Sequence, residues 1–140
     1  MKSLLVVLAL LGQNAPGERF CENVSQLADG AEEADPFRSL RNRDFRPRLL
    51  RGYCFYSSAE GYTCGQTMSP PEDTKESVAR RIQACLPGSQ LTSNRRDFRD
   101  EFVVSSGRFQ ARVTEQGSDR AHVGRSINIY VASVARGGKP

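Results

Sequence analysis

The sequence predicts an α+β fold: two helices packed on one face of an antiparallel sheet of five or six strands, in the order α-β-β-α-β-β-β, reinforced by disulfides. Three observations carry this. Apolar residues recur at helical spacing in two separate stretches. The C-terminal third instead alternates apolar and polar residues with a period of two, the mark of a sheet with one covered and one wet face. Four cysteines, Cys21, Cys54, Cys64 and Cys85, follow a short apolar leader, and an even count in that setting reads as a disulfide framework.

The leader starts at Met1-Lys2 and runs apolar from Leu4 to Leu11, less than half of the roughly 20 residues a spanning helix needs. That length suits the apolar region of a signal peptide. Ala15-Pro16-Gly17 supplies small residues for a peptidase, with cleavage expected after Gly17, because a cut after Ala15 would put Pro16 against the scissile bond. Residues 1–17 are therefore read as a signal peptide, 18–136 as a single α+β domain and 137–140 as a disordered tail. Cys21 lacks the small-residue run of a lipid-attachment site, so an anchor is not expected.

The first helix is expected from Arg19 to Ala34, with Phe20, Val24, Leu27, Ala28 and Ala31 on its apolar stripe and Asp35-Pro36 at its end. Gly30 weakens its last turn. Phe37 to Leu40 reads as a short strand, and the segment around Pro47 as a loop or edge. Leu50 to Ser57 and Tyr62 to Met68 read as a hairpin closed around Ala59-Glu60-Gly61. Counting by twos puts Cys54 and Tyr56 on one face and Tyr53 and Phe55 on the other, beside Arg51.

The second helix starts in the sequence after Ser69-Pro70-Pro71-Glu72, with Asp73 as the cap and Glu76 as its partner three residues on. Val78, Ile82, Cys85 and Leu86 form its buried stripe, and Pro87-Gly88 ends it. Three strands follow, at Phe98 to Val104, Arg108 to Thr114 and Ser126 to Ala135, with a polar loop from Glu115 to Gly124. The motif Arg43-Asp44-Phe45-Arg46 recurs as Arg96-Asp97-Phe98-Arg99; so short a match in an Arg-rich chain does not establish a duplication.

Four cysteines allow three pairings. Helix-to-strand bonds, Cys21 with Cys54 and Cys64 with Cys85, are favoured if each helix packs back along the strand before it. A cross-strand Cys54–Cys64 bond is the alternative. Each closed loop is worth on the order of 3 kcal/mol in the chain-entropy model. The spacings lack the Cys-x-x-Cys clustering of structural zinc or of redox pairs, so no metal is expected.

The net charge of +4 is carried almost entirely by arginine, which a GC-rich genome accounts for. Charge is segregated. Glu22, Asp29, Glu32, Glu33 and Asp35 precede Arg38, Arg41, Arg43, Arg46, Arg48 and Arg51, opposed only by Asp44. A basic cluster suits an anionic polymer or lipid, unless the two neighbouring stretches neutralise one another. Arg46, Arg48, Arg51, Tyr53 and Phe55 form the candidate binding surface, since arginines beside exposed rings are typical of recognition patches. The opposing expectation is that the Arg-rich segment simply covers these rings.

No catalytic constellation stands out. The single histidine, His122, lies in a polar loop with Glu115, Asp119, Arg120 and Arg125 near it in sequence, the ingredients of a small basic nuclease. A solvated loop histidine is the simpler reading. No nucleophile elbow, phosphate-cradling glycine loop or calcium-spaced carboxylate run is present, and no cofactor is expected. Asn23-Val24-Ser25 matches a glycosylation acceptor but falls inside a helix and is read as incidental.

The expectation is an exported, bacterial periplasmic or secreted, non-catalytic protein that binds another envelope or secreted protein. Inhibitors and immunity proteins of the cell envelope share its size and compartment. A secreted hydrolase using His122 and an electrostatic binder of anionic polymer or lipid are the alternatives. His122→Ala separates the first, and salt dependence the second.

Overall fold

The apolar stripes at helical spacing become two helices, and the alternating C-terminal third becomes most of a sheet. The computed structural model describes residues 16–67, 69–96, 99–117 and 124–135. Helix α1 spans Pro16–Ala31, with proline in the first turn, where no N–H is required. It turns Phe20, Val24, Leu27 and Ala31 into the core. Helix α2 (Arg38–Asn42) is short, and α3 spans Lys75–Cys85 with Val78, Ala79 and Ile82 buried.

The sheet has six strands: β1 (Phe55–Ser57), β2 (Gly61–Gln66), β3 (Gln90–Arg96), β4 (Arg99–Ser106), β5 (Phe109–Gly117) and β6 (Arg125–Ser133). Their spatial order is β1-β2-β6-β5-β4-β3, antiparallel throughout. Register sets the two faces. Tyr62, Val131, Ala111 and Val104 lie in one transverse row, buried against the helices. The next row, Phe55, Thr63, Tyr130, Arg112, Val103 and Thr92, lies on the other face. There Arg112 sits 5.2 Å over the Tyr130 ring and 3.6 Å from Glu101.

The α+β architecture with helices on one face stands, but three local expectations do not. Phe37 to Leu40 is not a strand. Phe37 takes a left-handed conformation (φ 62°) and α2 follows it, its first turn held by the Glu33 carboxylate, which accepts from the Ser39 N–H at 2.9 Å and from the Ser39 hydroxyl. The strand expected from Leu50 begins only at Phe55, because the backbone before it folds along the arginine segment, where the Cys54 N–H donates to the Pro47 carbonyl at 2.8 Å. The cap of α3 is one residue later than expected. Thr74 and Ser77 bond reciprocally, Ser77 N–H to Thr74 Oγ1 at 3.0 Å and Thr74 N–H to Ser77 Oγ at 2.8 Å, while Asp73 pairs with Arg81. β3 was not anticipated in the order of elements.

The disulfide pairing also differs. Cys21 bonds Cys85 and Cys54 bonds Cys64, rather than Cys21 with Cys54 and Cys64 with Cys85. The reason lies in helix placement. α1 and α3 pack side by side, which brings Cys21 to the end of α3, with Cα atoms 5.0 Å apart. Extending the hairpin register one step sets Cys54 opposite Cys64.

Two glycines stand at close approaches. Gly30, expected to weaken α1, sits where α2 crosses it: a Cβ there would lie 2.7 Å from Leu40 Cδ1. Gly61 has φ 86° and faces the Val131 carbonyl so closely that any Cβ would collide with backbone. Gly61→Ala is expected to cost about 2 kcal/mol or more, from the positive φ together with displacement of β6, read as a fall in urea midpoint at unchanged m.

The end of α1 is fastened to the sheet. Glu32 accepts from the Arg108 N–H at 2.5 Å, the Ala31 carbonyl accepts from the Ser133 hydroxyl at 2.6 Å, and the Glu33 carbonyl accepts from Arg108 Nη1 at 3.3 Å. The bonds from Ser39 hold the Glu33 carboxyl below its ordinary value of 4.5. A depressed carboxyl stabilises the fold above its unfolded pKa and loses that contribution as pH falls through the folded value. Acid titration of stability should therefore show a small loss below pH 4.5 that Glu33→Gln removes.

Candidate functional site

The feature that stands apart from the packed core is a groove at the β1 edge. Its cavity of about 510 Å³ is lined on one side by Tyr53, Cys54, Phe55 and Tyr56, on the other by Arg41, Asp44, Phe45 and Arg46, and by Tyr62. Local sequence explains each wall. The hairpin alternation sends Tyr56 toward the helices and Phe55 to the open face, as the expected counting by twos required. The opposite wall exists because α2 stops after Asn42 and the chain turns sharply at Asp44, a second non-glycine residue at positive φ (54°). Aspartate is one of the few non-glycine residues that adopt this left-handed region readily, so the turn is an ordinary one.

The rings are layered by burial. Tyr62 is buried and packs edge-on against Phe37 and Tyr56 (centroids 5.3 Å in both pairs) and against Phe45 at 6.2 Å. Above it the rings reach solvent: Tyr56 is 36%, Tyr53 54% and Phe55 75% exposed. These are the only large hydrophobic side chains so exposed among the described residues. Burial, and then the neighbouring Tyr56, push the Tyr62 hydroxyl above its ordinary value of 10.0, while Arg41 opposes the shift.

Arginines frame the rings. The Arg41 guanidinium lies 5.1 Å over Tyr56, Arg43 lies 6.0 Å over Phe45, and Arg48 lies 5.7 Å over Tyr53. Arg41 is held by Asp35 at 2.8 Å, and its buried Nε has no acceptor among the described residues. Arg46 meets Asp44 at 3.6 Å, with both side chains largely exposed. Of the neighbouring acidic stretch, Glu32 accepts from the Arg108 N–H and Glu33 from Ser39. Among the described residues, Arg38, Arg43, Arg48 and Arg51 form no ion pair.

Of the residues expected to form a binding surface, Arg46, Tyr53 and Phe55 line the groove. Arg48 supports Tyr53 from outside it. Arg51 is placed elsewhere, its N–H donating to the buried Gln66 side chain at 3.1 Å. The arginine segment therefore partly covers Tyr53 and leaves Phe55 bare. Sequence reasoning did not find Arg41, Asp44 or Phe45, which join the site only through the fold-back after α2.

Of the residues considered for nuclease chemistry, Glu115 and Arg125 lie together, 3.8 Å apart. Glu115 accepts from the Lys75 N–H at 2.6 Å, fixing the start of α3, and Arg125 donates to the Pro70 carbonyl at 2.6 Å. His122, Asp119 and Arg120 lie outside the described residues. Of the repeated motif, Asp44, Phe45 and Arg46 line the groove and Arg43 lies over the Phe45 ring, whereas Arg96 and Arg99 are register partners in β3 and β4, with Asp97 and Phe98 outside the described residues. Among the described residues no group of acidic, histidine and cysteine side chains is arranged to hold a metal ion.

No family model matches the chain, and neither a curated protein sequence nor a solved structure matches it.

Proposed function

We propose that the protein is an exported, non-catalytic binding module that docks another macromolecule in the groove at the β1 edge. One observation carries this reading: Tyr53, Phe55 and Tyr56 stand exposed beside Arg41 and Arg46 around an open cavity. Aromatic and arginine side chains together supply most hot spots of protein interfaces, because rings bury large area at little entropic cost and guanidinium groups bind directionally. Export is supported by the leader and by two disulfides. Among the described residues no helix is long and apolar enough to cross a membrane.

The test is affinity capture from envelope extract using oxidised protein, alongside the Tyr53→Ala/Phe55→Ala double variant. Two solvent-exposed rings are cheap to remove for the fold, so the variant should remain native by circular dichroism. Loss of about 100-fold or more in affinity for the captured partner is the expected result, the scale of a hot-spot pair. An unchanged affinity would remove the groove from consideration.

A further inference from the structure

Resting on that reading, we infer that the groove's occupant is an extended peptide segment alternating acidic and apolar residues, added as a further strand to the outer edge of β1. The argument starts from the backbone. The Cys54 and Cys64 Cα atoms are 4.2 Å apart, the spacing of a non-hydrogen-bonded pair in an antiparallel ladder. Alternation along the register makes Tyr56–Tyr62 a pair of the same kind. Both backbone groups of Tyr56 then point away from β2, and β1 is the outermost strand of the sheet. The Cys54 N–H, on the same outer side, is already occupied by the Pro47 carbonyl. Among the described residues, no bond is made by the Tyr56 N–H and C=O, inside the groove lining, or by the Cys54 carbonyl.

Side-chain chemistry sets the pattern of the guest. A strand added to β1 projects alternate residues to the two faces of the sheet. On the helix side they meet Arg41, Arg46 and Phe45; on the open side they meet Phe55. Carboxylates suit the first set and apolar side chains the second. The ion pair that a carboxylate would displace, Arg46–Asp44, is exposed and therefore weak. β3, the opposite edge, is longer and ends in arginine, with Arg95 held by Asp100 at 2.9 Å, but among the described residues it has no exposed ring beside it. A nucleic acid could stack on these rings but has no ladder to offer the Tyr56 backbone.

The experiment titrates nitrogen-labelled, oxidised full chain with a synthetic octapeptide of alternating glutamate and valine. Companion probes are its lysine counterpart, an acidic version N-methylated on the backbone of alternate residues, and an oligothymidylate. The expected result is binding of the acidic peptide with slowed exchange of the Tyr56 amide. The lysine peptide and the N-methylated peptide should each bind at least about tenfold more weakly, and Arg46→Ala should weaken the acidic peptide about fivefold. Equal binding of the N-methylated peptide, preference for the oligothymidylate, or refusal of the acidic peptide at millimolar concentration overturns strand addition. If the peptide is refused while Tyr53→Ala/Phe55→Ala still abolishes capture of the partner, strand addition falls and the groove reading stands. Retention of the partner by that variant removes the groove reading itself.

Discussion

Replacing Cys21 and Cys85 together by serine is expected to lower the unfolding free energy by about 4 kcal/mol, against about 3 kcal/mol for the Cys54→Ser/Cys64→Ser pair. The difference follows from the chain each bond closes: the first spans 64 residues and the second 10. Context widens it. Cys54 lies in a hairpin that β2–β6 pairing and the tyrosine cluster also hold, whereas Cys21–Cys85 ties α1 to the end of α3. Urea unfolding of the two double variants, each compared with the oxidised parent, measures both losses. A larger loss for the hairpin pair would show that strain or residual structure, rather than chain entropy, governs these bonds.

Tyr62→Ala is expected to cost about 4 kcal/mol, the usual penalty for truncating a large buried aromatic. The side chain is 1% exposed and its ring meets three others. Tyr62→Phe separates shape from ionisation, since it keeps the ring and discards the hydroxyl. With a folded pKa raised above 10.0, the neutral phenol stabilises the fold fully at lower pH, and that contribution is lost as pH rises through the folded value. The parent should therefore lose stability above pH 10 through this group, and Tyr62→Phe should lose less over the same range. Thermal melts across that window provide the comparison. Identical alkaline profiles would mean that Tyr62 ionises without a folding penalty.

The elements legible in the sequence were those whose periodicity is written in apolar residues. Val24 and Leu27 in α1, Val78 and Ile82 in α3, and Phe109, Ala111 and Val113 in β5 all point inward as their spacing required. β3 was missed because Gln90–Arg96 is a polar edge strand that buries none of its described side chains, so nothing in it alternates. α2 was missed for a different reason: it is five residues long and begins at a phenylalanine in a left-handed conformation, with no side-chain cap of its own. Its start is held by Glu33, six residues before Ser39, a link that no local signal announces. The cysteine partners depended on which helix lies beside which, and that is a property of the assembled layer.

The candidate site was half legible for the same reason. Tyr53 and Phe55 were singled out as aromatic residues next to arginines on a strand that also carries a cysteine. The facing wall of Arg41, Asp44 and Phe45 needed the reversal at Asp44, and a single positive φ leaves little trace in composition.

The two sulfur bridges form a ring within a ring: the Cys54–Cys64 circle lies wholly inside the long circuit between Cys21 and Cys85. Coupling thiols in the order in which they leave the ribosome would join Cys21 to Cys54, which is not a native bond. The mature connectivity therefore belongs to a chain whose first cysteine stays reduced until the last has been made, or whose early bonds are reshuffled afterwards.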